Sequence, residues 1–76
     1  MRLEDVFATV FGQTAETFDD TSSQDTVSEW TSMRNVALLV AVENAYGIRF
    51  SNVEMATVRN LGDIRAVLEQ RGVPVG

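Results

Sequence analysis

The chain has 76 residues, enough for one small domain spanning 1–76. It contains no cysteine and no histidine, which excludes a disulfide framework, a zinc site built on sulfur, a thiolate nucleophile and the usual imidazole general base. Eleven acids against six arginines give a formal charge of -5, which disfavours nucleic acid and anionic membrane and, by charge complementarity, favours a basic protein partner.

The opening MRLEDVFATVFG is not a signal peptide, because Glu4 and Asp5 interrupt any apolar core. Leu3, Val6, Phe7, Val10 and Phe11 recur at i, i+3, i+4, i+7 and i+8, the stripe of a helix whose start the two acids favour. Gly12 can take the left-handed conformation that ends it.

QTAETFDDTSSQDTVSEW follows, polar and acidic, with Phe18, Val27 and Trp30 as isolated apolar anchors. So long a connection is unusual in so small a domain, and either it is functional or part of it is a helix without an obvious pattern. Counted as a calcium loop from Asp19 or Asp20, it lacks the sixth-position glycine and the twelfth-position glutamate, so that chemistry is excluded. Asp19, Asp20 and Asp25 read as a solvated face, and Trp30 as a loop anchor on the core.

From Ser32 to Tyr46 the chain is rich in Met, Leu and Ala. Its valines would also suit a buried strand, but length and the terminal Gly47 favour a helix, with Ile48 packing back on Val42 or Glu43 in a Schellman-type ending. Val36, Leu39, Val42 and Tyr46 are expected on the inner face, with Arg34, Ala37, Leu38, Ala41 and Asn44 opposite. The apolar run Val36–Val42 is far short of the roughly 18 residues a membrane span needs, so a soluble cytoplasmic protein is expected.

Ser51 and Glu54 form a capping box, flanked by Phe50 and Met55 as a hydrophobic staple, so a short helix starts there. Asn60 caps a last helix with Asp63 in its first turn and Leu61, Ile64, Val67 and Leu68 as its inner stripe. Gly72 and Pro74 end it. Four helical segments without a strand signal predict an all-α, small four-helix bundle with a long first loop and a short third helix.

Ser32 has two readings. A serine before an apolar run is ordinarily a helix N-cap. The same place suits attachment of a phosphate ester, because free amides and the helix dipole stabilise an anion there.

EWTSMRNVALLVAVENAYGIRFSNVEMATVRNLGDIRAVLEQ resembles the acyl carrier protein family. Its members carry Asp-Ser-Leu at the start of helix II, then an acid and an aromatic-Gly-Ile turn. Here these read Thr31-Ser32-Met33, Glu43 and Tyr46-Gly47-Ile48. The likeness covers nearly the whole chain, the long first loop included. It implies a bundle of the acyl-carrier type that is a carrier and not an enzyme. A 4'-phosphopantetheine group, covalent and taken from coenzyme A, would be moved onto Ser32 by a magnesium-dependent phosphopantetheinyl transferase. Acyl-activating or acyl-transferring enzymes would be the other partners of a monomer serving fatty-acid, polyketide or related biosynthesis.

Partner recognition is expected at Thr31, Met33, Arg34, Ala37, Leu38, Ala41 and Glu43, and an acyl chain could lie among Val36, Leu39, Val40, Phe50 and Met55. Thr31 departs from the family's aspartate and removes a charge beside the serine, while Met33 for leucine is nearly isosteric. With one acid on this helix, partners are expected to read it through apolar contacts more than through charge. The alternatives are an aminoacyl or peptidyl carrier with the same arm, and an unmodified helical interaction module.

Overall fold

The computed structural model describes residues 2–75. Four helices occur in chain order: α1 (Leu3–Phe11), α2 (Ser32–Tyr46), α3 (Asn52–Thr57) and α4 (Leu61–Gln70). A single 3-10 turn, Ala15–Thr17, is the only helical piece in the long first connection among the described residues. Among the described residues no helix is long and apolar enough to cross a membrane.

α1 buries Leu3, Val6, Phe7 and Phe11 and ends at Gly12, whose φ of 68° lets its amide bond Ala8 O. α2 ends the same way. Gly47 (φ 68°) and Ile48 both donate to the Glu43 carbonyl, at 2.8 and 3.2 Å, and the second bond is the wide ring of a Schellman ending. At α3 the capping box is complete: the Glu54 amide donates to Ser51 Oγ (3.1 Å) and the Ser51 amide to Glu54 Oε1 (2.8 Å). The Ser51 amide, helped by the Arg71 guanidinium, holds the Glu54 carboxyl below the usual glutamate range.

Apart from the 3-10 turn, the first connection is a loop with no α-helix in it, and its order comes from two sources. Phe18, Val27 and Trp30 turn inward and are buried with α1 and α4. Around them, short polar side chains bond nearby backbone: the Thr21 amide donates to Asp19 Oδ1 (2.8 Å), the Asp19 amide to Ser22 Oγ (2.9 Å) and the Ser23 amide to Thr26 Oγ1 (2.9 Å).

This loop also completes α4. The first amides of a helix lack internal partners, and here Leu61 N–H donates to Ser22 O and Gly62 N–H to Asp20 O, both at 3.0 Å, while Asp63 N–H is capped by Asn60 Oδ1 (2.8 Å). A Cβ at Gly62 would stand 3.0 Å from Asp20 O, so the missing side chain is what lets loop and helix approach. Arg65 ties the same parts from the side, bonding Glu4 of α1 (2.5 Å) and Asp20 of the loop (3.0 Å).

Two expectations for α2 are corrected. Leu38, placed on the outer face, is 0 % exposed in the core, and Ala41 is half-buried against it. Val36, placed on the inner face, is 59 % exposed. The run VALLVAV is apolar on every side, so its periodicity does not fix which face turns inward.

Candidate functional site

The helix starts at Ser32, and the cap is Thr31. Thr31 has extended backbone (φ -87°, ψ 171°), and its Oγ1 accepts from Arg34 N–H at 3.2 Å, while its carbonyl accepts from Asn35 N–H at 2.9 Å. The sequence places the cap at Ser32; Thr31 takes it because both residues carry a suitable hydroxyl and the fold sets the register. The consequence falls on Ser32. Its side chain is exposed and makes no hydrogen bond among the described residues, and the amides of Ser32 and Met33 likewise have no partner there. A free hydroxyl therefore stands beside two open N–H groups at the positive end of a 15-residue helix.

Asn35, one turn along α2, has a double role. Its Oδ1 accepts from Trp30 Nε1 at 2.9 Å, which ties the end of the long loop to the helix start. It also lines an open, polar cleft of about 630 Å³ that Ser23, Met55, Val58, Arg59 and Asn60 help to wall. Ser32 lies one turn before Asn35 on the helix surface; Asn35 lines the cleft, together with Asp25, and Ser32 does not.

The seven residues expected to meet partners divide. Thr31, Met33, Arg34 and Ala37 are exposed around the helix start. Leu38 and Ala41 are in or against the core, and Glu43 is half-buried, its Oε2 accepting from Phe50 N–H at 2.7 Å. That glutamate links the end of α2 to the start of α3. Sequence reasoning missed the outward Val36 and Val40 and the role of Asn35. No periodic signal marks the first two, because the run VALLVAV is apolar on every side.

The residues considered as an acyl lining do not enclose one chamber. Leu39 and Phe50 are buried and Met55 is partly so, but Val36 and Val40 face outward. No cluster of three metal-ligating side chains occurs among the described residues.

The capping assignment has a measurable outcome. Thr31→Ala is expected to cost about 1 kcal/mol, whereas Ser32→Ala, at an exposed first helical position, is expected to stay within about 0.5 kcal/mol of wild type. Urea melts of both variants decide this. A larger loss in Ser32→Ala than in Thr31→Ala would return the cap to Ser32.

In a scan against models of protein families none matches the chain, and no curated protein matches it.

Proposed function

We propose that the chain is a carrier protein that bears 4'-phosphopantetheine on Ser32 and serves acyl-activating and acyl-transferring enzymes in fatty-acid, polyketide or related specialised biosynthesis. When attached, the group supplies a terminal thiol that holds acyl cargo as a thioester, so a body without cysteine or histidine needs no nucleophile of its own. One observation carries the reading: the Ser32 hydroxyl is exposed and relieved of capping by Thr31, so a tether can leave it without dismantling the helix start.

The residues around Ser32 suit that load. In the transferase reaction the serine oxygen forms the new bond to phosphorus, the pyrophosphate link of coenzyme A breaks and adenosine 3',5'-bisphosphate leaves, while the serine proton passes to the transferase. The open amides of Ser32 and Met33 and the helix dipole stabilise the resulting phosphodiester anion. Asn35, Arg59 and Asn60 offer donors to the polar groups of an arm lying in the adjacent cleft. The resemblance of Thr31-Ser32-Met33 and Tyr46-Gly47-Ile48 to the acyl-carrier motifs supports the same assignment, and Thr31 does the capping that an aspartate there would do equally well.

The test is intact mass after incubation with coenzyme A, magnesium and a permissive phosphopantetheinyl transferase. Wild type is expected to gain one phosphopantetheine and Ser32→Ala none, with the two melting alike. Failure of wild type with transferases active on a control carrier, or undiminished modification of Ser32→Ala, overturns the reading and leaves the unmodified interaction module. An aminoacyl or peptidyl carrier would pass this test and differ in what is then loaded.

A further inference from the structure

Charge is unevenly distributed along the chain. Residues 32–59 hold three arginines and two glutamates, whereas the remainder holds three arginines against nine acids. The fold sharpens the contrast. Arg2, Arg65 and Arg71 each form an ion pair. Arg34, Arg49 and Arg59 are exposed and have none among the described residues. Both glutamates of that stretch face donors of the protein itself, Glu43 the Phe50 amide and Glu54 the Ser51 amide and Arg71. The Asp63 carboxylate near Arg59 accepts from its backbone amide. Arg34, Arg49 and Arg59 thus stand exposed without an ion pair among the described residues, Asp25 sharing the wider cleft with Arg59.

Arg34 occupies a place where folding favours the opposite charge. It is the third residue of α2, whose first turn holds no acid, and the helix dipole there disfavours a cation. A glutamate at 34 would put at this helix start the acid that Glu54 supplies at the third position of α3. A locally unfavourable residue that has no ion pair among the described residues points to a use outside the chain.

Beside Arg34 runs an apolar stripe. Met33, Val36, Ala37 and Val40 follow at i, i+3, i+4 and i+7, all outward, with Met33 87 % and Val40 44 % exposed. Ala37 and Ala41 are neighbours one turn apart, and Ala41 opens an apolar groove of about 180 Å³ between α1 and α2, walled by Val6, Val10 and Ala45. Contiguous exposed apolar surface with a charged margin is the pattern of a protein contact.

We infer that this face docks a partner protein whose surface offers an apolar centre bordered by carboxylates. The apolar stripe supplies contact area, and Arg34, with Arg49 beyond the end of α2 and Arg59 on the cleft by its start, selects acidic partners by charge complementarity. This is the reverse of the preference that the whole-chain charge dictates. It goes beyond the carrier assignment and stands whether or not Ser32 is esterified.

The test uses the unmodified protein and two synthetic amphipathic helical peptides with the same leucine face, one bordered by glutamates and the other by lysines. In a 15N NMR titration the glutamate peptide is expected to bind roughly tenfold tighter than the lysine peptide. Its largest shifts should fall on residues 33–41, and its affinity should weaken with salt without vanishing, since the apolar part is unscreened. Arg34→Glu, expected to melt no lower than wild type, should reverse the preference. Tighter or equal binding of the lysine peptide, shifts centred elsewhere, or no binding of either peptide overturns the inference. Because the mass assay for Ser32 is independent, failure of one leaves the other standing.

Discussion

Phe7→Ala is expected to cost about 3–5 kcal/mol, the range for deleting a buried phenyl group, and to leave a substantial unfolded fraction at moderate temperature. Phe7 is wholly buried on α1 and is the hub of the aromatic cluster. Its ring centroid lies 5.3 Å from that of Trp30, edge-on at 79°, 5.6 Å from Phe18 and 5.9 Å from Phe11. Two of those rings belong to the long first loop, so the truncation undermines both the helix packing and the anchoring of the loop.

The scale of the damage follows from the size of the chain. At roughly 0.05–0.15 kcal/mol per residue, a domain this small has about 4–11 kcal/mol in total, so the loss takes a large share of it. Each kcal/mol corresponds to about 4–8 °C in melting temperature at this size, and a fall on the order of 20 °C is expected. Trp30 fluorescence reports it, since the indole is buried in the same cluster. A loss below about 1 kcal/mol would mean that the four rings do not form one packed unit.

Arg65→Met is expected to have the second largest effect, about 1–3 kcal/mol. The arginine and Glu4 are each about a fifth exposed, at 19 % and 20 % of side-chain area. Breaking a fully buried pair by removing one partner costs about 3–5 kcal/mol, and residual solvent access reduces that figure here. Glu4 is left in the worse position, because its Oε1 is buried and already without a hydrogen-bond partner. Asp20, 63 % exposed, loses little.

The distinguishing experiment is the double variant. Glu4→Gln together with Arg65→Met removes the stranded charge and should recover part of the loss, giving a coupling of about 1 kcal/mol or more in a double-mutant cycle. Additive losses in urea melts would show that Arg65 matters through its packed alkyl stem rather than its charge. The loop's carbonyl bonds to Leu61 and Gly62 should then loosen as well, seen as faster hydrogen exchange at those two amides.

The two halves of the candidate site differ in how far the chain's order of residues reveals them. Capping chemistry at Ser51 and Asn60 is local, spanning three residues, and both assignments stand in the structure. The inner stripes of α1 and α4 were also legible, because charged residues alternate with apolar ones and leave one choice of face. Between Thr31 and Ser32 there was no such contrast. Either hydroxyl can cap, and a shift of one residue decides which is left without the capping bond.

Residue order by itself therefore determined an all-helical chain, the caps of α3 and α4 and the glycine ends of α1 and α2, its lack of thiol and imidazole, and the serine at the tip of the longest helix. Tertiary packing decided what is not local. It chose which side of the apolar run in α2 faces α1, sending Leu38 in and Val36 out. It also folded the polar loop against α4, left Arg34, Arg49 and Arg59 without an ion pair among the described residues, and gave the cap to Thr31. The physical reason is common to all of these. Local hydrogen bonds and amphipathic contrast are written in neighbouring residues, whereas a helix apolar on every side takes its orientation only from the elements it meets.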